Sequence, residues 1–459
     1  MPKKHALKIV ILIAISLRLL MLFTFSDIFN FVDAEGIHGS DAYDDYAMNL
    51  LETGVYGRTA GEPDAAIPPM YSYVLAVVYG IFGRGFIQLG IFHILLDVLS
   101  IALLYDICRR VFTEEKYLWG EAIGRWVSLV AGLMTACYPY LIFQNLTLID
   151  TPFWMLMLTL FVWLVILLRE QETLSRKTWL IAICAGIALG VATLARSITP
   201  PLALLVALWF VFKHSIWQSF IRLVPVALMS IICLVPWIIR NYQIFDAFVP
   251  MSTTSGGNFW QGNSPFTIPV FEAGYDVQWT APDVQNERLS READAERFVL
   301  AWEYLNDNPE QIPRLIWTKF LVQWSIEITP RKNPQEGETF ALDENGDLLI
   351  VRGDGSLIGL NDANTAYNSG LVDTVGRPVH IIYFGTMLVL ALIGIVLSAK
   401  QWRNVSILWF VQISMTLMYV IFHPSTRYRS PSDPLLFAFS AYALVMIVYY
   451  WQTQREASV

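Results

Sequence analysis

The chain has few charged residues and few cysteines, and each shortage argues against a class of protein. Asp, Glu, Lys and Arg make up 15% of its 459 residues, while 55% are hydrophobic, and the mean hydropathy is +0.48. So few polar residues cannot cover the apolar surface of a soluble protein of this size. The composition predicts a polytopic membrane protein. The sequence has no basic stripe or basic domain, so nucleic acid is not expected as a partner.

Cysteine is too sparse and too hydrophobically placed for a disulfide framework. The cysteines all lie within or at the end of apolar runs, where we expect them to act as small hydrophobic side chains. The four cysteines are Cys108, Cys137, Cys184 and Cys233.

The sequence also has no inverted repeat, which argues against a secondary transporter.

Ten apolar runs have about the length that crosses a bilayer core. The first is too long for the apolar region of a signal peptide and is predicted to be an uncleaved membrane helix. Lysines and arginines beside alternate ends of these runs place both termini in the cytoplasm. The predicted spans are residues 7–29, 86–108, 124–145, 151–169, 178–196, 198–213, 222–240, 379–399, 404–422 and 434–451.

Two other apolar segments break this alternation if they cross the membrane. Residues 67–83, which begin near Pro68-Pro69, are therefore predicted to form a helix along the outer interface. Residues 312–328 contain Lys319 and Glu327 and receive the same assignment.

Two long segments then lie outside, at residues 30–85 and 241–378. The second is expected to contain a β-hairpin at residues 344–355 and an amphipathic helix at residues 290–306. The apolar face of that helix would be formed by Ala295, Phe298, Val299, Trp302 and Leu305. We therefore predict an all-α polytopic membrane protein with interfacial helices and a smaller extracytoplasmic α/β domain. Its parts would be a transmembrane module (1–243), the extracytoplasmic domain (244–378) and C-terminal membrane helices (379–459).

Carboxylates and arginines collect on the predicted outer side. Carboxylates beside a bilayer usually have a partner or a task. Arginine binds phosphate oxygens as a bidentate fork, and a carboxylate can take a proton from an attacking hydroxyl. The pattern therefore suits a phosphate-bearing lipid and a catalytic base. The residues concerned are Asp41, Tyr43, Asp44, Asp45, Tyr46, Asp150, Arg196, Arg240, His423, Arg427 and Arg429.

The acidic residues also have structural interpretations, and the residues alone leave both open. Asp41 could be a solvated loop acid, and Asp44 and Asp45 could be solvated or structural. Asp150 could cap the helix that opens at Thr151-Pro152. A divalent metal site at His38, Asp41 and Asp44 has no strong ligand spacing to support it.

The arginines can likewise be explained by their surroundings. Arg196, Arg427 and Arg429 could extend towards lipid headgroups, although an outer cluster runs against the positive-inside bias. Arg18 lies within the first span, where a structural ion pair is expected.

Six segments, in this order and spacing, resemble the GT-C class of membrane glycosyltransferases. The resemblance is to the group of protein O-mannosyltransferases and lipid A aminoarabinose transferases, glycosyltransferase families 39 and 83. In the aminoarabinose transferases Glu-Lys stands where this chain has Ala66-Ile67, and many relatives have lysine at Arg196. The segments are Asp41–Leu51, Pro68–Tyr73, Tyr138–Asp150, Pro236–Tyr242, Asn258–Asn263 and Arg427–Pro431.

The resemblance implies a GT-C fold, a polyprenyl-phosphate sugar donor and an inverting transfer on the outer face of the cytoplasmic membrane. The acceptor would be a hydroxyl of a glycan, lipid or protein. Asp41 matches the catalytic carboxylate of the family, and no metal is assigned. Donor phosphate would be bound by Arg196, Arg240, Arg427 and Arg429, and supporting or acceptor-side residues would be Tyr43, Asp44, Asp45, Tyr46, Asp150 and Asn263.

Three other functions remain to be distinguished. An oligosaccharyltransferase-like enzyme would transfer a whole glycan to protein, but the Trp-Trp-Asp signature of that group is missing. A lipid or solute transporter would move its substrate without consuming it. A scaffold could retain the fold without catalysis.

Overall fold

The computed structural model describes residues 5–25, 41–282, 284–287, 290–332, 334, 337–360 and 372–457, without the side chains of Asp41, Val372 and Asp373. This part of the chain is mostly helical, and eight of its helices are long and apolar enough to cross a membrane. With their flanking turns they are Ala6–Thr24, Phe86–Val111, Thr151–Glu170, Arg176–Ala195, Ile216–Phe245, Thr374–Leu397, Ala399–Ile421 and Thr426–Ala457.

The described residues form two compact units. The first comprises Met1–Met251, Tyr383–Ser414 and Ser430–Val459, and the second comprises Ser252–Ile382 and Met415–Arg429. In chain order the helices are α1 (Ala6–Thr24), α2 (Asp41–Thr53), α3 (Met70–Phe82), α4 (Phe86–Val111), α5 (Ile123–Ala136), α6 (Pro139–Gln144), α7 (Thr151–Glu170), α8 (Arg176–Ala195), α9 (Pro201–Val211), α10 (Ile216–Phe245), α11 (Ser255–Gly262), α12 (Thr267–Ala273), α13 (Arg291–Asp307), α14 (Ile312–Gln323), α15 (Arg377–Leu397), α16 (Trp402–Ile421), α17 (Thr426–Arg429) and α18 (Asp433–Ala457). The strands are β1 (Tyr117–Leu118), β2 (Glu121–Ala122), β3 (Thr339–Leu342), β4 (Leu348–Val351) and β5 (Leu357–Gly359).

Eight membrane-length helices, rather than ten, occur in the described chain because two predicted spans are interrupted by proline. Residues 124–145 form α5 and α6, which are separated at Tyr138, because the following Pro139 favours an extended backbone there. The predicted span 198–213 contains only α9, which starts at Pro201. The segments predicted to lie along the interface form α3 and α14, neither of which has membrane length.

Contacts within the first unit show that α5 carries the chain between opposite ends of the long helices. The C-terminal ends of α4 and α7 lie together, since Nη1 of Arg110 is 2.6 Å from Oε2 of Glu170. At the other end of α7, Asp150 contacts Arg196 at the C-terminal end of α8. Because α4 and α7 end on the same side, the intervening α5 and α6 must return the chain.

The core of the first unit contains a buried ion pair between α1 and α4. Arg18 places its Nε 2.8 Å from Oδ2 of Asp97 and donates from Nη1 to the carbonyl of Ala136 at 2.9 Å. The structural ion pair expected for Arg18 is confirmed. It joins α1, α4 and the end of α5.

Small residues allow α8 and α10 to pack closely. A Cβ added to Gly186 would lie 2.5 Å from the carbonyl oxygen of Val226, and one added to Gly190 would lie 2.6 Å from Cβ of Cys233. Such small-residue contacts are typical of packed membrane helices. They fix α10, whose C-terminal end carries Arg240.

The amphipathic helix predicted at residues 290–306 is present as α13, but its apolar face is not its most buried face. The buried positions are Ala293, Arg297 and Ala301, while Phe298 and Trp302 are exposed by 41% and 49%. The reason is steric, because a Cβ added to Gly256 of α11 would lie 2.0 Å from the carbonyl of Asp294. Helices this close need small side chains at their crossing.

The predicted hairpin at residues 344–355 is instead one strand between two turns. The segment supplies β4, which pairs with β3 and β5 in an antiparallel three-stranded sheet. Gly346 and Gly355 take the positive φ angles that the two tight turns require. Leu348 and Ile350 are buried on one face of β4, where they pack in a cluster with Val270 of α12.

Candidate functional site

The acidic segment that follows the first span opens a helix in the first unit. Asp41 is the first residue of α2, and its side chain is outside what the structure describes. His38 also lies outside the described residues. The side-chain contacts that hold α2 therefore fix where the first residue of this helix lies.

Asp44 is buried and forms an ion pair with the partly exposed Arg84. Its carboxylate lies 2.6 Å from Nη2 of Arg84 and accepts a hydrogen bond of 2.9 Å from the hydroxyl of Tyr79. The neighbouring Asp45 is half-buried, and its Oδ2 lies 3.2 Å from Nε of Arg58. Asp44 therefore anchors the first turn of α2 to α3 and the residues that follow it.

Tyr46 and Arg240 fix the loop between α2 and α3. The buried hydroxyl of Tyr46 donates to the carboxylate of Asp64. The guanidinium of Arg240 donates to the carbonyls of Tyr56 and Asp64 and lies 4.7 Å from the ring centroid of Trp237. Arg240, predicted to bind phosphate, thus uses its donors on the backbone of this loop.

Tyr43 connects α2 to the interior through aromatic contacts. Its ring packs edge-on against Tyr71 of α3 at 4.9 Å, and the hydroxyl of Tyr71 lies 2.7 Å from Nε2 of His93. Burial raises the pKa of Tyr71, with the neighbouring Tyr79 and Asp150 adding to the effect. Asp150 and the start of α2 therefore share one neighbourhood around Tyr71.

Asp150 and Arg196 form a bidentate ion pair. Nε of Arg196 lies 2.6 Å from Oδ2 of Asp150, and Nη2 lies 2.8 Å from Oδ1. Nη2 also donates to Thr151, and the guanidinium lies 5.0 Å from the ring centroid of Trp154. Asp150 precedes α7 without a side-chain capping bond, so the capping role, one of the two left open, is wrong. Both residues are buried.

Arg427, Arg429 and Asn263 belong to the second unit. Arg429 is fully buried and donates from Nη1 to the carbonyls of Gln323 and Ser325, at 3.0 and 2.7 Å. Arg427 lies 5.8 Å from the ring centroid of Tyr428. These contacts place Arg429 at the C-terminal end of α14.

The amide of Asn263 links three segments of the second unit. It donates to the carbonyls of Phe259 and Ile421, at 2.8 and 2.9 Å, and accepts a 2.9 Å hydrogen bond from Nζ of Lys319. This buried side chain is therefore fully committed to holding α11, α14 and α16 together.

The second unit also contains a buried group of titratable side chains whose pairing the sequence did not indicate. Nδ1 of His423 lies 4.0 Å from Oδ1 of Asp276. Burial, with Lys319 and Arg427 nearby, lowers the pKa of His423 to about 4, so the ring is neutral at pH 7. Burial raises the pKa of Asp276 to about 6 and lowers that of Lys319 to about 7. Asp276 follows a glycine turn, a pattern too common to identify it.

We expect stability to rise with pH above 7 because of Lys319. Its folded pKa of about 7 lies below the unfolded value of about 10.4, so the unfolded chain binds more protons between these values. The slope should approach about 1.4 kcal/mol per pH unit. Thermal unfolding of wild type and Lys319→Met between pH 7.5 and 9.5 should differ by this slope.

The matched control is Lys332→Met, which removes a half-buried lysine from the same unit. It should retain the wild-type slope. Equal slopes for wild type and Lys319→Met would contradict the expected titration of Lys319.

Metal ligands are not clustered in the described part of the chain. No group of three His, Cys, Asp or Glu side chains that could hold a metal ion occurs among the described residues. Both carboxylate oxygens of Asp150 accept hydrogen bonds from Arg196.

Residues 66–239 match the family of dolichyl-phosphate-mannose-protein mannosyltransferases. This segment makes up less than half of the chain. The matched segment extends from the approach to α3 into α10 and includes Asp150 and Arg196, whereas Asp41 precedes it. No curated protein matches the chain in sequence.

Solved structures give a similar fold. The oligosaccharyltransferase AglB from Archaeoglobus fulgidus, in complex with an inhibitory peptide and a dolichol-phosphate, is 15% identical with a TM-score of 0.55, over 98% of this chain and 51% of that one. AglB tethered to an acceptor peptide gives 14% and 0.54, over 97% and 50%. ArnT from Cupriavidus metallidurans bound to undecaprenyl phosphate gives 12% and 0.40, over 95% and 76%. The chain thus spans about half the length of AglB, and at this identity the likeness to AglB is one of fold alone.

Proposed function

We propose that this protein transfers one sugar from a polyprenyl-phosphate donor to a hydroxyl acceptor on the outer face of the membrane. The observation that carries the proposal is the match of residues 66–239 to a family of dolichyl-phosphate-mannose-dependent transferases. The dolichol-phosphate bound to AglB is consistent with a lipid phosphate at this fold. The acceptor is a glycan, a lipid or a protein.

The proposed transfer inverts the anomeric carbon, with Asp41 as the base. The acceptor hydroxyl loses its proton to Asp41 as its oxygen forms the new bond to the anomeric carbon. The phosphate leaves from the opposite side with the bonding electron pair. Donors aimed at the leaving phosphate lower the barrier because negative charge grows there.

Arg196 is the arginine that best suits the leaving phosphate. It is buried beside Trp154, where electrostatic interactions are stronger than in water. Asp150 holds the plane of its guanidinium through two hydrogen bonds. Arg240 and Arg429 donate hydrogen bonds to backbone carbonyls. Arg240 is therefore better suited to support the loop after α2, and Arg429 the end of α14.

The topology we propose places the Asp150–Arg196 end of the helices outside and both termini in the cytoplasm. In this arrangement the short helices α5 and α9 also cross, which gives ten crossings. Arginines and lysines at the opposite end, such as Arg110 and Lys213, then face the cytoplasm in accord with the positive-inside rule.

In the test, purified protein receives polyprenyl-phosphate-linked mannose, glucose or arabinose as the donor. Membranes from cells of its source that lack its gene supply the acceptor. We expect one of these donors to become polyprenyl phosphate while an acceptor gains the mass of one sugar. Transfer of a whole glycan from a polyprenyl-linked oligosaccharide would favour the oligosaccharyltransferase alternative. Movement of donor across proteoliposomes without consumption would identify a transporter and refute the proposal.

A further inference from the structure

The end of the first unit opposite Asp150 contains a cavity of about 130 Å³. Its polar lining is Arg110, Arg169, Glu170, Lys213 and Asn404, with Trp209 beside them. A site for one water needs roughly 10–15 Å³ by the same kind of measure, so a phosphate group fits. α7 starts after Asp150 and reaches Arg169 about 30 Å away at its helical rise. The cavity is therefore separate from the candidate transfer site.

Arg169 is the uncompensated charge of this cavity. Only 6% of the surface of Arg169 is accessible to solvent, and its Nε has no hydrogen-bond partner. No carboxylate among the described residues forms an ion pair with it. A buried cation without a counter-charge is unfavourable, so the site is suited to an anion.

The neighbouring cations already have partners. Arg110 is paired with Asp106 and Glu170, and Lys213 lies 2.7 Å from Oε1 of Glu172. Among the described residues that line the cavity, Arg169 is therefore the one that leaves net positive charge for a ligand, while the other side chains shape the cavity.

The orientation of Arg169 is fixed by packing. Its guanidinium lies 4.2 Å from the ring centroid of Trp209, and the indole of Trp209 donates to the carbonyl of Arg403 at 2.9 Å. One face of the guanidinium is thus covered, which leaves the edge with its fork of N–H donors. That fork matches the oxygens of a phosphate.

We propose that Arg169 and its cavity bind a phosphate-bearing anion at the basic end of the helix bundle. Arg169 ends a membrane-length helix, which places it at the depth where lipid phosphates lie. Basic pockets between membrane helices are known to hold anionic headgroups. The phosphate belongs to an anionic lipid or to a soluble ion, and the experiment separates the two.

The experiment measures binding to purified protein with wild type, Arg169→Gln and Lys177→Gln. Lys177 is an exposed cation on the next helix, at the same end of the bundle, and is the matched control. Native mass spectrometry follows retention of phosphatidylglycerol against phosphatidylcholine, and thermal unfolding follows stabilisation by inorganic phosphate. We expect Arg169→Gln to weaken binding about tenfold, the effect of losing one charge-assisted hydrogen bond.

Each outcome is decisive. Loss of phosphatidylglycerol retention in Arg169→Gln but not in Lys177→Gln supports a lipid site, and loss of phosphate stabilisation alone supports a soluble anion. Equal binding by all three proteins overturns the proposal. If Arg169→Gln does not fold, Arg169→Lys retains the charge without the fork and should bind more weakly, whereas wild-type affinity in that variant also overturns the proposal.

Discussion

Asp41→Asn is expected to lower the rate of sugar transfer by about 10²–10⁴-fold, the usual contribution of a general base. Asparagine has nearly the shape of aspartate but cannot accept the proton of the acceptor hydroxyl. Donor binding should change little, because the proposed base acts on the acceptor. The measurement is single-turnover transfer from the labelled donor that the wild type uses.

The variant should fold because α2 is held by other side chains. Asp44 bonds to Arg84 and Tyr79, and Tyr46 bonds to Asp64. These contacts lie beyond the first residue of the helix, so thermal stability should stay close to that of the wild type. A lost activity with unchanged stability would then report on chemistry.

Glu52→Gln is the matched control, since it removes an exposed carboxylate from the same helix. It should transfer sugar at the wild-type rate. Wild-type activity in Asp41→Asn would reject Asp41 as the base, and a parallel loss in Glu52→Gln would indicate that general negative charge on α2 matters.

Local signals in the sequence predicted the helices well because they depend on composition over a short window. The apolar runs, the Pro68-Pro69 start of the helix α3 and the amphipathic segment that became α13 were all of this kind. The two interrupted spans also contain Pro139 and Pro201, where a new helix starts although the apolar run continues.

Partners distant in the chain could not be predicted, because pairing depends on packed helices. Arg18 was expected to need a counter-charge, yet nothing near it indicates Asp97, which lies 79 residues away. Asp150 lies beside a helix start, so the sequence leaves a local cap and a functional role equally open. The structure instead brings it to Arg196, 46 residues later.

Asp150→Asn is expected to destabilise the protein by about 3–5 kcal/mol, because it leaves Arg196 buried without its counter-charge. Arg196→Gln should have a similar effect because it leaves Asp150 buried without its counter-charge. The double variant removes both charges and should regain at least half of the lost stability, which thermal unfolding in one detergent can measure. Such coupling is expected of two residues joined by hydrogen bonds of 2.6 and 2.8 Å.

Transfer rates in the same variants separate a structural role from a role at the phosphate. If Arg196 stabilises the leaving phosphate, the double variant should remain about 10²–10³-fold slower than wild type although its stability recovers. The matched control is Asp97→Asn with Arg18→Gln, a buried ion pair in the same unit that is assigned only to joining α1 and α4. That double variant should regain both stability and rate. Recovery of the rate in Asp150→Asn with Arg196→Gln would show that the pair only maintains the fold, and the phosphate would then need another arginine.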